Sequence, residues 1–540
     1  LPDTTLFEDK LHFWVVTQEA MINLPASFWF SKPLSWRGRD FAEAAAVTGS
    51  DRKREQRLTL IILLIASLVR IPFLWRGFGG HLDEWYLIRS GLDLWLHGVY
   101  HPSRPAGYPL NEIMMAGLAW LGGAPACAAA ATAASLAALA YMRRLAPLHG
   151  IEDSFWLVLA FSFEPWFWSS GTHDLDYVWG VLSLLAALYY VERRRPGSAG
   201  IACGLGFGFR PTSALWVAPL LLRVVFIERR WRRVLRFVLC AAIPALVPAG
   251  MVLWWLIAAQ SEAFGGVAWQ FSTVTQVIQN PFVAPALAVY RLIELIGHLP
   301  ALLLIVAACY VNRDRLLGLF RGREGWVWTY VLIFAFLLLP FISLSEKPEH
   351  MLPALPGLFM ILGRCISTVW WKAITASFIL NAFVSFGFGH GGGLLSIDFE
   401  TPSLRPGVLL WYAERAEASN DLVARAGSEL AEPSRIVRAG GAGTHLDPFY
   451  VAALIERGPP SQAHISCPLI PVRVSARDGT QLEIIPSRGL AGPAPSYYPL
   501  LVCCASNSAL ATSSLPGAWE DDLKALIPRF CTSDKHPKTD

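Results

Sequence analysis

The sequence predicts a mainly α-helical, polytopic membrane protein with a C-terminal domain of mixed α and β structure outside the membrane. Three observations predict it. Hydrophobic residues make up 54% of the 540 residues and charged residues only 16%, with a mean hydropathy of +0.42. Apolar runs close to the roughly 20 residues that a helix needs to cross a bilayer core recur from residue 58 to residue 389. Beyond residue 390 the composition shifts to Pro, Gly and Ser, with short helical and strand-like patches. The 22 Trp and 30 Phe residues suit rings that sit at lipid headgroup level. The net charge of +4 is too small to imply nucleic acid as a partner.

Residues 1–50 lack the basic patch, apolar run and small-residue cleavage site of a signal peptide, and residues 1–57 are read as a cytoplasmic N-terminal extension. The first apolar run, 58–75, is interrupted only by Arg70. Further candidate spans lie near 125–142, 153–170, 177–191, 198–209, 211–227, 234–258, 288–310, 326–344, 351–369 and 373–389. The runs 198–209 and 211–227 are short and read as a bent pair. The stretch 109–122 is also short, and either crosses or lies flat in the interface.

Basic residues decide between those options. Arg52, Lys53, Arg54 and Arg57 precede the first run and hold the N-terminus inside. If 109–122 lies flat, the basic clusters at 143–144, 193–195, 229–236, 313–323 and 364–372 also fall inside. If it crosses, most of them move outside. The flat arrangement obeys the rule at every inside loop and gives about 11 spans over residues 58–389. It places 76–108, 171–176, 259–287 and 345–350 outside and exports the domain 390–540. Within that domain, 409–430 reads as a helix, and 469–474 and 481–485 read as strands. An exported domain holding Cys467, Cys503, Cys504 and Cys531 is expected to form at least one disulfide.

The outer segments concentrate ionisable residues. The first carries His81, Asp83, Glu84 and Tyr86, and a carboxylate just beyond a span can take the proton of a sugar hydroxyl; a solvated loop with two chance acids is the plainer explanation. Its end, His101-Pro-Ser-Arg104-Pro-Ala-Gly-Tyr108-Pro, sets a guanidinium at headgroup level, where it can grip a phosphate or merely snorkel. The second outer segment holds His173, Asp174 and Asp176, an Asp-x-Asp spacing able to present two carboxylates to a divalent cation or a sugar. The last, Ser345-Glu346-Lys347-Pro-Glu349-His350-Met-Leu-Pro353-Ala-Leu-Pro356, crowds acids, a Lys and a His into one turn. Arg210, between two short apolar halves, is a charge at membrane depth, which normally faces a cavity.

At these residues the chain resembles the membrane glycosyltransferases of the GT-C superfamily, which take a sugar from a polyprenyl phosphate or diphosphate. The resemblance spans roughly residues 58–365. It implies that Asp83 is the acid of the first outer loop, with Glu84 beside it, and that Asp174 and Asp176 match a second acidic site. The run Arg104-Pro-Ala-Gly-Tyr108, followed by an apolar segment and Gly122-Gly123, resembles the bacterial lipid A aminoarabinose transferases, with Arg104 where those carry Lys. The run from Glu349 to Pro356 is similar to a late motif of the mannosyltransferase branch, with Met351 where that branch has an aromatic residue.

What the resemblance implies is transfer of one sugar from a polyprenyl-phosphate donor to a glycan, lipid or protein hydroxyl, with inversion, on the periplasmic side of a bacterial inner membrane. Asp83 is then the base and Glu84 its alternate. Arg104, Tyr108, Arg210, Lys347 and His350 bind the donor phosphate. His81, Asp174, Asp176 and Glu349 hold sugar or acceptor. No cofactor is required, and a divalent cation on Asp174 and Asp176 is optional. The rival expectation is a transporter or lipid flippase, which favours ionisable groups and broken helices at mid-membrane.

Overall fold

A computed structural model of the chain describes residues 49–413 except 79–81, 99, 101, 105, 106, 152, 174, 259–282, 323, 344–346 and 388–402, together with four short strands beyond residue 471. It is mostly helical. Among the described residues, 5 helices are long and apolar enough to cross a membrane, or up to 6 if a sharply bent pair counts as one.

Helix α1 (Gly49–Arg70) opens in a basic stretch and becomes apolar from Leu58. Its Leu60, Ile61, Leu64 and Leu68 point outward, whereas Ile62 and Ala66 are buried. Such an outward apolar stripe suits lipid. Helix α2 (Leu82–His97) packs on the first half of α3 (Pro109–Leu145). The approach is close enough that a Cβ on Gly91 would stand 2.1 Å from the Glu112 carbonyl oxygen.

Residues 109–122, read as a separate short element, are one helical arm of α3, parted from the following span by a break at Gly122 and Gly123. Gly122 (φ −156°, ψ 19°) and Gly123 (φ 63°, ψ −158°) leave helical geometry there, and only glycine takes the second conformation without strain.

The apolar run 153–170 is not one span. It forms α4 (Phe155–Ser162) and α5 (Pro165–Ser170) with a break between them. Polar side chains stabilise both sides of that break. Arg70, fully buried, donates to the Ser162 carbonyl at 3.0 Å and to the Ser162 hydroxyl at 3.3 Å, where a helix C-terminus favours a cation. Glu164 accepts from the Trp166 and Phe167 backbone N–H groups at 3.1 and 2.6 Å, which satisfies two of the donors that a helix start leaves free.

Helices α6 (Tyr177–Glu192), α7 (Pro196–Phe209), α8 (Ala214–Glu228) and α9 (Trp231–Ala258) follow. The bend expected between 209 and 211 is present: Arg210 is extended, and a 3-10 turn, Pro211–Ser213, precedes α8. Helix α7 lies against α9 through Gly200 and Gly204, whose added Cβ atoms would stand 2.3 and 2.2 Å from the Phe237 and Ala241 carbonyl oxygens. Small residues four apart let membrane helices approach this closely. Buried Arg223 of α8 donates through two nitrogens to Glu192 of α6, at 2.9 and 3.0 Å.

Helices α10 (Val283–Leu295) and α11 (His298–Val311) meet at an 83° bend, at Gly297 with φ +84°. After α12 (Arg313–Arg321) and α13 (Gly325–Ser343), the runs 351–369 and 373–389 yield shorter elements than expected. These are a 3-10 turn (Pro348–Ala354), α14 (Leu355–Cys365) and α15 (Thr368–Phe383). Proline at 348, 353 and 356 sets the irregular start. The breaks at 163–164, 210, 296–297 and 366–367 are why fewer helices reach spanning length than the 11 apolar runs.

Strands β1 (Val384–Gly387) and β2 (Ser403–Pro406) pair antiparallel, Val384 opposite Pro406. The chain then turns helical at 408–413, with Val408, Leu409 and Tyr412 buried. Beyond residue 471, β3 (Val472–Ser475), β4 (Gln481–Ile484), β5 (Leu501–Cys504) and β6 (Leu510–Ala511) form an antiparallel sheet in chain order. Strand β4 lies within 481–485, and β3 overlaps 469–474 at 472–474. Of the four tail cysteines, Cys503 and Cys504 stand on β5. Cys467, Cys531 and most of the domain 390–540 lie outside the described residues.

Candidate functional site

Five separate stretches of sequence bring their charged residues together. Asp83 and Glu84 sit in the first turn of α2, where the helix dipole favours carboxylates. Arg104 lies in the turn before α3, its guanidinium 3.7 Å from the centre of the Tyr108 ring. Asp176 immediately precedes α6. Arg210 follows α7, with its guanidinium 4.3 Å from the centre of the Tyr177 ring. Lys347 and His350 flank the start of the 3-10 turn Pro348–Ala354.

Asp176 is the pivot. It is fully buried; Arg104 donates to its Oδ1 at 2.7 Å, and Arg210 donates to its Oδ2. Burial alone would push its carboxyl up, but the two guanidiniums overcome that and hold it below the ordinary carboxylate range. Lys347 Nζ donates to Asp83 Oδ2 at 2.8 Å, and Arg104 Nη1 stands 3.6 Å from the same oxygen. Burial opposes the charge on Lys347, yet Asp83 and Tyr177 hold its ammonium pKa above the usual range. Arg104 thus bridges Asp83 and Asp176. Among the described residues, three cations (Arg104, Arg210, Lys347) face two carboxylates here, with Glu84 and Glu349 in the group beside them.

The Arg104 turn is itself anchored. Glu112 accepts from the Tyr100 hydroxyl at 2.7 Å, the Ser103 N–H at 2.8 Å and the Ser103 hydroxyl at 2.6 Å. Gly107 has φ +66°, and a Cβ there would stand 2.6 Å from the Tyr100 hydroxyl. Glycine is therefore required between Arg104 and Tyr108.

A second group adjoins the first. His173 Nδ1 stands 3.1 Å from Glu84 Oε1, and the His173 ring packs on that of Tyr412 at 4.6 Å between centres. The Tyr412 hydroxyl donates to Glu349 Oε1 at 2.6 Å. Burial raises the Glu349 carboxyl despite that bond. His350 packs near Tyr177, 5.9 Å between ring centres. Burial, reinforced by Arg210 and Lys347, lowers its imidazole to about 3, so it is neutral at ordinary pH.

Of the residues singled out in the sequence, Asp83, Glu84, Arg104, Tyr108, Asp176, Arg210, Lys347, Glu349 and His350 fall in these two adjoining groups, while His81 and Asp174 lie outside the described residues. Two of those brought together are already engaged. Asp176 accepts from Arg104 and Arg210, one on each oxygen. Glu349 is buried and accepts from Tyr412. Among the described residues no group of three or more His, Cys, Asp and Glu stands where it could hold a metal ion.

The sequence reading missed Glu112, His173, Tyr177 and Tyr412. His173 was visible inside its motif and carried no role. Tyr412 had no signal, since it follows the apolar runs by more than 20 residues. No protein-family model, no curated protein and no solved structure matches the chain.

Proposed function

We propose that the chain is a membrane glycosyltransferase that moves a sugar from a polyprenyl-phosphate donor to an acceptor hydroxyl, with inversion, at the periplasmic face of a bacterial inner membrane. The observation that carries this reading is the convergence of three cationic groups on one part-buried point: among the described residues, Arg104, Arg210 and Lys347 meet Asp83 and Asp176 there. A phosphate has the charge and the acceptor oxygens to take Arg104 and Lys347 from Asp83, and a planar guanidinium can bind it through two hydrogen bonds. As the sugar–phosphate bond breaks, negative charge grows on the phosphate, where fixed cations stabilise it most. Neutral His350 can donate or accept beside it. The proton acceptor lies on Asp83 and Glu84 or on a group they orient. On this reading 58–389 is the catalytic membrane domain, 1–57 is cytoplasmic, and 390–540 is an exported domain that meets acceptor or covers the site. A divalent cation is optional.

The test is product release. Membranes containing the chain, supplied with polyprenyl-phosphate sugars, should liberate polyprenyl phosphate detectable by mass spectrometry, and Arg104→Ala membranes should not. A rival reading as a transporter or lipid flippase draws on the 83° break between α10 and α11, a feature of carriers with mid-membrane sites. It would gain if wild-type membranes moved the lipid across the bilayer and released no phosphate.

A further inference from the structure

We infer that His173, oriented by Glu84, is the group that takes the proton from the acceptor hydroxyl, and that Asp83 serves the donor instead. The inference rests on the sugar-transfer reading and deepens it. Three observations carry it. First, Asp83 Oδ2 already accepts from Lys347 at 2.8 Å and has Arg104 Nη1 at 3.6 Å, so the oxygen is engaged with the cations that would meet the donor phosphate. Second, His173 Nδ1 stands within ion-pair distance of Glu84 Oε1, at 3.1 Å, without the alignment of a hydrogen bond. A carboxylate this close to one ring nitrogen favours the proton there and the lone pair on the other, the arrangement by which an acid prepares an imidazole as general base. Third, His173 is only 5% exposed, and its Nε2 has no hydrogen-bond partner among the described residues. Buried polar atoms are nearly always paired, so an acceptor hydroxyl is a fitting partner for this one.

Position agrees. Glu84 follows Asp83 on α2, and His173 precedes Asp176 by three residues. The same two elements are therefore joined twice, once by Glu84 and His173 and once by Asp83, Arg104 and Asp176. The first link would handle the acceptor proton and the second the donor phosphate. In the step itself, His173 Nε2 takes the hydroxyl proton and the oxygen forms its bond to the anomeric carbon. The carbon–oxygen bond to phosphate breaks, and its electron pair stays on the phosphate oxygen beside the cations. The imidazolium that results is balanced by Glu84. Tyr412, whose ring packs on the imidazole and whose hydroxyl is engaged by Glu349, is a positioning residue for this base.

The experiment follows polyprenyl phosphate release from polyprenyl-phosphate sugars by the full chain in membranes, with donor affinity measured separately on the purified protein. His173→Ala should bind donor as wild type does, release polyprenyl phosphate about 10²–10⁴-fold more slowly, and recover in part on addition of imidazole. His173→Gln, which keeps the volume and a donor toward Glu84, guards against a folding defect and should be equally slow without recovering. Asp83→Asn should weaken donor affinity more than it slows the saturated rate. Wild-type release by His173→Gln, or a loss confined to donor affinity, overturns the assignment while leaving sugar transfer standing. No release by the wild-type chain overturns the sugar-transfer reading and this assignment with it.

Discussion

Replacing Asp176 by Asn would remove the carboxylate that two guanidiniums share. Asp176 is 0% exposed and Arg210 2%, so the pair belongs to the buried regime, where losing one partner strands an uncompensated charge. Arg104 still has Asp83 at 3.6 Å, but among the described residues no other carboxylate is paired with Arg210. The cost should therefore fall mainly on Arg210, at about 3–5 kcal/mol, the range for breaking one side of a buried ion pair. Exposed pairs are worth about 0–1 kcal/mol, so the measurement distinguishes the two regimes. Adding Arg210→Met to Asp176→Asn should restore much of the loss, because removing both partners abolishes the stranded charge. Denaturant unfolding of wild type, both single variants and the double variant in one detergent gives the coupling energy directly. An Asp176→Asn protein within about 1 kcal/mol of wild type would refute the claim that this carboxylate organises the site.

Four further outcomes follow from the same contacts. His350 has a folded value of about 3, below its unfolded 6.5, so only the unfolded chain gains a proton between them. Its contribution is therefore lost as pH falls from 6.5 toward 3, by up to about 1.4 kcal/mol per pH unit, and pH-dependent unfolding of His350→Gln should lack that component. Glu349 has the opposite sign: its folded carboxyl is raised above 4.5, so its contribution is present below the unfolded value and lost as pH rises through the folded one. Glu349→Gln should thus match or exceed wild-type stability above neutral pH while its amide oxygen still accepts from Tyr412, and a marked loss there would contradict the raised value. Gly204→Val should push α7 off α9 and destabilise by at least the roughly 1–3 kcal/mol of an overpacked contact, measured in the same unfolding assay. Glu192→Gln should weaken the link between α6 and α8 by up to about 3–5 kcal/mol, again by unfolding, since it removes the charge that accepts two bonds from buried Arg223.

The site was more legible in the sequence than the helices. Asp83, Arg104, Asp176 and Lys347 stand out because they interrupt long apolar stretches, and a charge in such surroundings needs a partner or a task. That they meet was not legible, because pairing between residues as far apart as Asp83 and Lys347 depends on how the helices pack. Hydropathy also hid the helix breaks. The run 153–170 reads as continuous because Glu164 is a single acid among aromatic residues, yet that acid caps α5 and, with Arg70, fixes the break. Residues 109–122 look detached because they are short, and Gly122 and Gly123 do part them from the second arm of α3. The pair Glu192 and Arg223 was invisible for a related reason: Glu192 adjoins three arginines in sequence, whereas its partner lies a helix away in an apolar run.

The central claim is that Arg104, Arg210 and Lys347 form a site for a lipid-borne phosphate, and direct binding tests it most plainly. Purified protein should be titrated with polyprenyl phosphate and with the corresponding polyprenol, which has the same chain and no phosphate. The phosphate lipid should bind more tightly. Arg104→Ala should lose roughly 10- to 150-fold in affinity, matching the roughly 1.5–3 kcal/mol of one hydrogen bond to a charged group. Arg104→Lys should recover part of that loss, because the charge survives and the planar fork does not. Equal binding of the two lipids by wild type, or equal affinity of wild type and Arg104→Ala for polyprenyl phosphate, would contradict it.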